Sequence, residues 1–131
     1  MTREVYTKKV IEHFTRPKNM GEIKNPSGTG SVGNPVCGDI MKVDIKVKKN
    51  RKGEEIISDI KFQTLGCGAA IATSSIVTEI ARNKTLSDAL KISKEDITKE
   101  LGGLPPQKLH CSLLADQALK KAIADYEKKK N

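Results

Sequence analysis

The sequence predicts an α+β fold: a small antiparallel sheet of about three strands with helices packed on one face. Three observations predict it. Apolar residues alternate along residues 40–47 with the two-residue period of a strand. A second apolar run returns after a polar turn, and from Gly66 onward the apolar spacing becomes helical. Strands first and helices after is the order of an α+β domain.

Taken in order, Val5, Lys9, Val10, His13 and Phe14 fall at helical spacing, so residues 3 to 14 read as a short helix that Pro17 stops. The following "PKNMGEIKNPSGTGSVGNPVCGD" is rich in Gly, Pro, Asn and Ser and reads as loop, with one short strand around Thr29 to Gly33. Next, Ile40, Met41, Val43, Ile45 and Val47 stand against Lys42, Asp44, Lys46 and Lys48 as a half-buried strand. "KKNRKGEE" is the turn, and "IISDIKFQTLG" returns as a strand carrying Ile56, Ile60, Phe62 and Leu65, which makes an antiparallel meander.

In "AAIATSSIVTEIAR" the stripe Ala72, Ile76 and Ile80, with Ala69, Ala70, Val77 and Ala81 beside it, predicts a closely packed, buried helix. Two short helices follow with legible starts. Thr85 caps one with Asp88 three residues on, and Ser93 with Asp96 repeats the device in a helix that ends at Gly102. The last helix, Leu109 to Glu127, turns Leu114, Ala118, Ala122 and Tyr126 inward. No internal repeat or linker divides the 131 residues, so 1–131 reads as one domain, with 1–20 a candidate mobile segment.

A chain of this size buries about two-thirds of its unfolded surface, enough for a core without disulfides or metal. Its 24 Lys and Arg against 16 Asp and Glu leave a net charge of +8. Much of that excess lies in "VKKNRKGEE" and the terminal "KKKN", a solvated turn and a chain end. No aromatic is interleaved there to stack bases, which argues against a nucleic-acid binder. No apolar run approaches a membrane span, and "MTREVYTKKVIEHF" has no signal core, so a cytoplasmic protein is expected. In that reducing compartment three cysteines, an odd number, favour thiols kept for metal or chemistry.

Each cysteine sits at a junction between elements. Cys37 lies in the Pro/Gly loop "NPVCGD" before the alternating strand, with Asp39 two positions on. Cys67, in "LGCGAA", stands where a strand gives way to the buried helix, and flanking glycines keep room around its sulfur. Cys111, in "LHCSLL", occupies the first turn of the last helix with Lys108 nearby. The positive end of a helix favours a thiolate at both of the latter positions. The cysteines are too far apart for a C-x-x-C pair, so a metal site requires the sheet end with Cys37 and Cys67 to lie under the start of the last helix. Three sulfurs with Asp39 or His110 would then complete four ligands at the rim of the domain.

A lone cysteine is more often a small buried hydrophobe than a ligand, but three beside glycine or histidine make that the lesser reading. Asp39 could equally bond its own turn. His110 gains weight from Cys111 beside it, whereas His13 has no such company and reads as structural or surface.

Four stretches in order, "VYTKKVIEHFTRPKNMGEI", "GNPVCGDIMKVDIKV", "FQTLGCGAAIATSSIVTE" and "LPPQKLHCSLLADQALKKAI", resemble the successive signatures of the IscU-type iron-sulfur cluster assembly scaffolds. That family includes the N-terminal domain of NifU. The resemblance implies that Cys37, Cys67 and Cys111 bind a nascent 2Fe-2S cluster, with Asp39 or His110 supplying or exchanging the fourth position. It implies that Cys111 accepts persulfide sulfur from a cysteine desulfurase, and that Leu104, Pro105, Pro106, Gln107 and Lys108 form a loop read by an Hsp70-type chaperone.

The function so implied is a scaffold, not a turnover catalyst. It takes iron from a donor, electrons from a donor such as ferredoxin, and passes the cluster to apo acceptor proteins. Zinc in the cluster-free form and a homodimer are further implications. A carboxylate among soft thiolates would make the cluster easier to surrender. One rival is a zinc-binding, sulfurtransferase-type sulfur acceptor with Cys111 as nucleophile and His110 as base. Neighbouring residues on a helix point in different directions, which disfavours that pair. Another is a structural zinc domain, which the expected core weakens.

Overall fold

The computed structural model describes residues 6–34 and 39–130, the side chains of 34 and 39 excepted. The order is α1 (Lys8–Thr15), β1 (Gly28–Asn34), β2 (Asp39–Lys49), β3 (Glu55–Leu65), α2 (Gly68–Ala81), α3 (Leu86–Ala89) and α4 (Lys94–Glu100). A 3-10 turn at Pro106–Lys108 then leads into α5 (Leu109–Lys130). The strands form one antiparallel sheet in the order β1-β2-β3, the expected meander with helices against it.

Alternation explains the inner face. Met41, Val43 and Ile45 of β2 are buried, with Val43 opposite Phe62 and Ile45 opposite Ile60. On β1 the same face carries Gly28, Gly30 and Val32, opposite Ile45, Val43 and Met41. Helix α5 lies so close to that face that a Cβ at Gly28 would run into Ala122 and Tyr126. One at Gly30 would run into Ala118 and Ala122. Helix α2, lined with Ala, Ser and Thr, is enclosed on nearly every side, as its composition predicts.

Several expectations change. The inward set of β3 is Ile57, Ile60 and Phe62, not Ile56, Ile60, Phe62 and Leu65; Leu65 is 71% exposed. For Ile56 the cause is a bulge: Lys46 pairs with Asp59 but Val47 with Ile57, so Ser58 is an extra residue and the pleat reverses across it, whereas Leu65, three residues past Phe62, falls on the other face by alternation alone. Asp44, assigned to the solvent side, is buried because the chain before β1 crosses over it. Its carboxylate accepts from Ile23 N at 3.2 Å and Thr29 Oγ1 at 2.8 Å. The first helix starts at Lys8, capped by the Thr7 hydroxyl, rather than at residue 3; Val5 lies outside the described residues.

The caps of α3 and α4 are those expected. Thr85 accepts from Asp88 N, and Ser93 with Asp96 makes a reciprocal capping box. The outer edge of β3 is covered: Phe62 bonds Asn19 and Gly21, and Ile57 bonds Lys84 and Asn83. At the far end, Tyr126 and Lys130 of α5 both donate to the Glu55 carboxylate, Lys130 at 2.7 Å, which fastens the helix to the start of β3.

Candidate metal and sulfur site

The backbone brings three junctions to one end of the sheet. Asn34, the last residue of β1, pairs with Asp39, the first of β2; Cys37 in the connection lies outside the described residues, as does the side chain of Asp39. Ile40 pairs with Leu65, so β3 ends beside the start of β2 and Cys67 follows two residues later. Helix α5 runs antiparallel to β1, with Gly28 level with Ala122 and Tyr126, and Gly30 level with Ala118 and Ala122. Two strand residues advance about 6.6 Å and four helical residues about 6 Å. Carried on to Asn34, that match brings the start of α5, where Cys111 sits, to the same end.

Cys67 is half-buried and is the N-cap residue of α2, with its carbonyl accepting from Ala70 and Ile71 while its thiol makes no cap bond. The first turn of α2 carries no acidic side chain, so the positive end of the helix is left for a thiolate or an anionic cargo. The room expected around this sulfur is partly taken: a Cβ on Gly68 would lie 2.9 Å from the Phe14 ring, so α1 packs directly on the turn that holds Cys67. Phe14 was legible in the sequence only as part of a helical stripe.

Cys111 departs from the rim. Its side chain is 0% exposed and belongs to the hydrophobic core. His110 is half-buried, and its Nε2 lies 3.7 Å from the Cys111 sulfur, so the two adjacent side chains do meet. The expectation that they point apart fails because an imidazole is long enough to reach back across the turn. His110 also lines a largely apolar cleft of about 430 Å³ between α4 and α5, with Thr98, Leu109 and Leu113. Upstream, Leu104 and Pro105 are half-buried, Pro106 and Gln107 exposed, and Lys108 half-buried at the end of the 3-10 turn.

Among the described residues no group of three or more His, Cys, Asp or Glu side chains is gathered closely enough to hold a metal ion. The described geometry thus brings His110 and Cys111 into contact and aligns the junctions of the other ligands without describing a closed ligand set. His13 is structural. It is 7% exposed, its Nδ1 lies 2.7 Å from Ser75 Oγ, and that oxygen also accepts from Lys18 N at 2.8 Å. Burial pushes its imidazole below the ordinary value, with Lys9 and Lys18 adding to the shift and Glu79 and Glu12 opposing it. No described helix is long and apolar enough to cross a membrane.

Residues 5–131 match the model of the family described as NifU-like N terminal domain. The chain is 56% identical over 125 residues to "Iron-sulfur cluster assembly scaffold protein IscU 1" of Archaeoglobus fulgidus, covering 95% of this chain and 78% of that one. It is 53% identical over 128 residues to the scaffold protein IscU of Rickettsia prowazekii, covering 95% and 94%. Among solved structures, the N-terminal part of a nitrogen-fixing NifU-like protein from Brucella abortus shares the fold, with a TM-score of 0.68 at 19% identity over 94% of each chain.

Proposed function

Because the chain belongs to the NifU-like N terminal domain family, we propose that it is a scaffold on which an iron-sulfur cluster is assembled and from which it passes to acceptor proteins. The cargo proposed is a 2Fe-2S cluster, held by the thiolates of Cys37, Cys67 and Cys111. Asp39 supplies a fourth, harder ligand, and His110 exchanges with it. The convergence of three cysteine-bearing junctions on one end of the sheet is the observation that supports this reading.

Sulfur arrives from a cysteine desulfurase. The Cys111 thiolate attacks the outer sulfur of the desulfurase persulfide, a new S–S bond forms on Cys111, and the desulfurase leaves as its thiolate. Two electrons from a ferredoxin-type donor then cleave that bond, releasing sulfide to iron and regenerating the Cys111 thiolate. Two such rounds and two iron ions from a donor complete the cargo. Leu104–Lys108 is the docking loop for an Hsp70-type chaperone, zinc occupies the thiolates when iron is absent, and two copies of the chain pair during transfer. The protein gives up what it builds and so acts as a carrier rather than a turnover catalyst.

Anaerobic incubation with ferrous iron, cysteine, a reductant and a desulfurase tests the reading. Equal amounts of bound iron and acid-labile sulfide are expected, with visible sulfide-to-iron absorption that Cys37→Ser, Cys67→Ser and Cys111→Ser each diminish. Labelled sulfur turning over to a small acceptor without iron would instead make Cys111 and His110 the nucleophile and base of a sulfurtransferase.

A further inference from the structure

Cys111 presents a difficulty for any sulfur transfer, because the thiol that must be reached is fully enclosed. Beside it, in the last turn of α4, stands Thr98. Its hydroxyl donates to the Lys94 carbonyl at 2.9 Å. A hydroxyl has one hydrogen, so the 2.8 Å contact with Ser112 Oγ is Ser112 donating to Thr98. Ser112 is itself fully buried and follows Cys111 directly.

The main chain of Thr98 makes a second attachment. Its carbonyl accepts from Gly103 N at 2.9 Å, closing a turn in which Gly102 and Gly103 take φ of 78° and 110°, a region that favours glycine. One residue thus grips both ends of residues 103–112: the glycine turn where the stretch leaves α4, and the first turn of α5. Between the two grips lie Leu104–Lys108, His110 and Cys111.

We propose that Thr98 is a positioning residue whose two-ended tether holds the first turn of α5 down with Cys111 buried, and that release of the Ser112 hydroxyl lifts this turn and opens the thiol. The functional weight of the latch rests on reading Cys111 as the sulfur acceptor; its physical test does not. In metal-free protein treated with iodoacetamide, the modification of Cys111 is followed relative to Cys67 by peptide mass spectrometry, alongside amide exchange. Thr98→Val keeps the shape and removes the hydroxyl.

It should raise the Cys111-to-Cys67 ratio roughly fivefold, the factor one hydrogen bond contributes. Exchange should quicken across 104–112 but not in β2 or β3. Ser112→Ala should do the same, the double variant should add little, and Thr98→Ser should restore the wild-type ratio. An unchanged ratio in both single variants overturns the latch; so does a rise shared by Cys67 and the strands, or a failure of Thr98→Ser to restore. Labelled sulfur from a desulfurase separates the two ideas. If the ratio behaves as expected yet no variant, nor the wild type, takes sulfur at Cys111, the acceptor reading falls and the latch stands.

Discussion

His13 shows how one buried ring ties stability to pH. Ser75 Oγ accepts from Lys18 N and lies 2.7 Å from His13 Nδ1, which fixes the ring in an enclosed place between α1 and α2. Burial there penalises the charged ring, which loses its hydration. With the folded value held below the ordinary 6.5, both states are neutral above that pH and His13 contributes no slope. As pH falls below 6.5 the unfolded chain takes up a proton that the folded chain refuses, and stability declines until the folded value is passed. Glu55 and Asp125, held low by Lys130 and by Thr29 N respectively, act only at more acidic pH. Melting temperatures should therefore drop between pH 7.5 and 5.5, and His13→Gln should flatten that slope; an equally steep slope in the variant would assign it elsewhere. At the site, Asp39→Ala removes the weak oxygen ligand proposed for the cluster, so a reconstituted cluster should survive a chelator longer. An unchanged or shorter lifetime removes that role.

The contact between β1 and α5 is the element on which the site's alignment depends. Gly30→Ala would place a methyl group against the α5 backbone, which cannot rotate away as a side chain can. A cost of about 2–3 kcal/mol follows, lowering the melting temperature by roughly 8 °C, while Ser31→Ala on the exposed side of the same strand should change little. Local devices of this kind were legible in the sequence where neighbours in the chain make them. Examples are the alternation of β2, the caps at Thr85 and Ser93, and the junction at Cys67 between β3 and α2. Ser93→Ala should accordingly cost about 1 kcal/mol in chemical denaturation. What was not legible depends on elements distant in the chain. One extra residue at Ser58 exchanged Ile56 for Ile57 in the core, and a crossing segment buried Asp44. Cys111 faces inward in the core and Thr98 of α4 meets Ser112 of α5, which no local pattern around "LHCSLL" could have announced.

Across the whole molecule, one continuous core runs from Val10 through the sheet to Ile123 and takes in residues of every helix. Its members are supplied by strand alternation and helix faces, and they include Cys111, whereas Cys67 is only partly buried against them. Stability of that origin is hydrophobic and persists without a metal ion, whereas a small zinc domain takes its folding energy from the metal. Treatment with a chelator should leave the far-ultraviolet circular dichroism unchanged and the thermal transition cooperative. Adding zinc or ferrous iron should raise the melting temperature only as a ligand does, increasing with the logarithm of free metal once the site is saturated. Loss of the cooperative transition on chelation would mean that metal holds the fold together, and a chain that must unfold to lose its metal would be poorly suited to handing a cluster on.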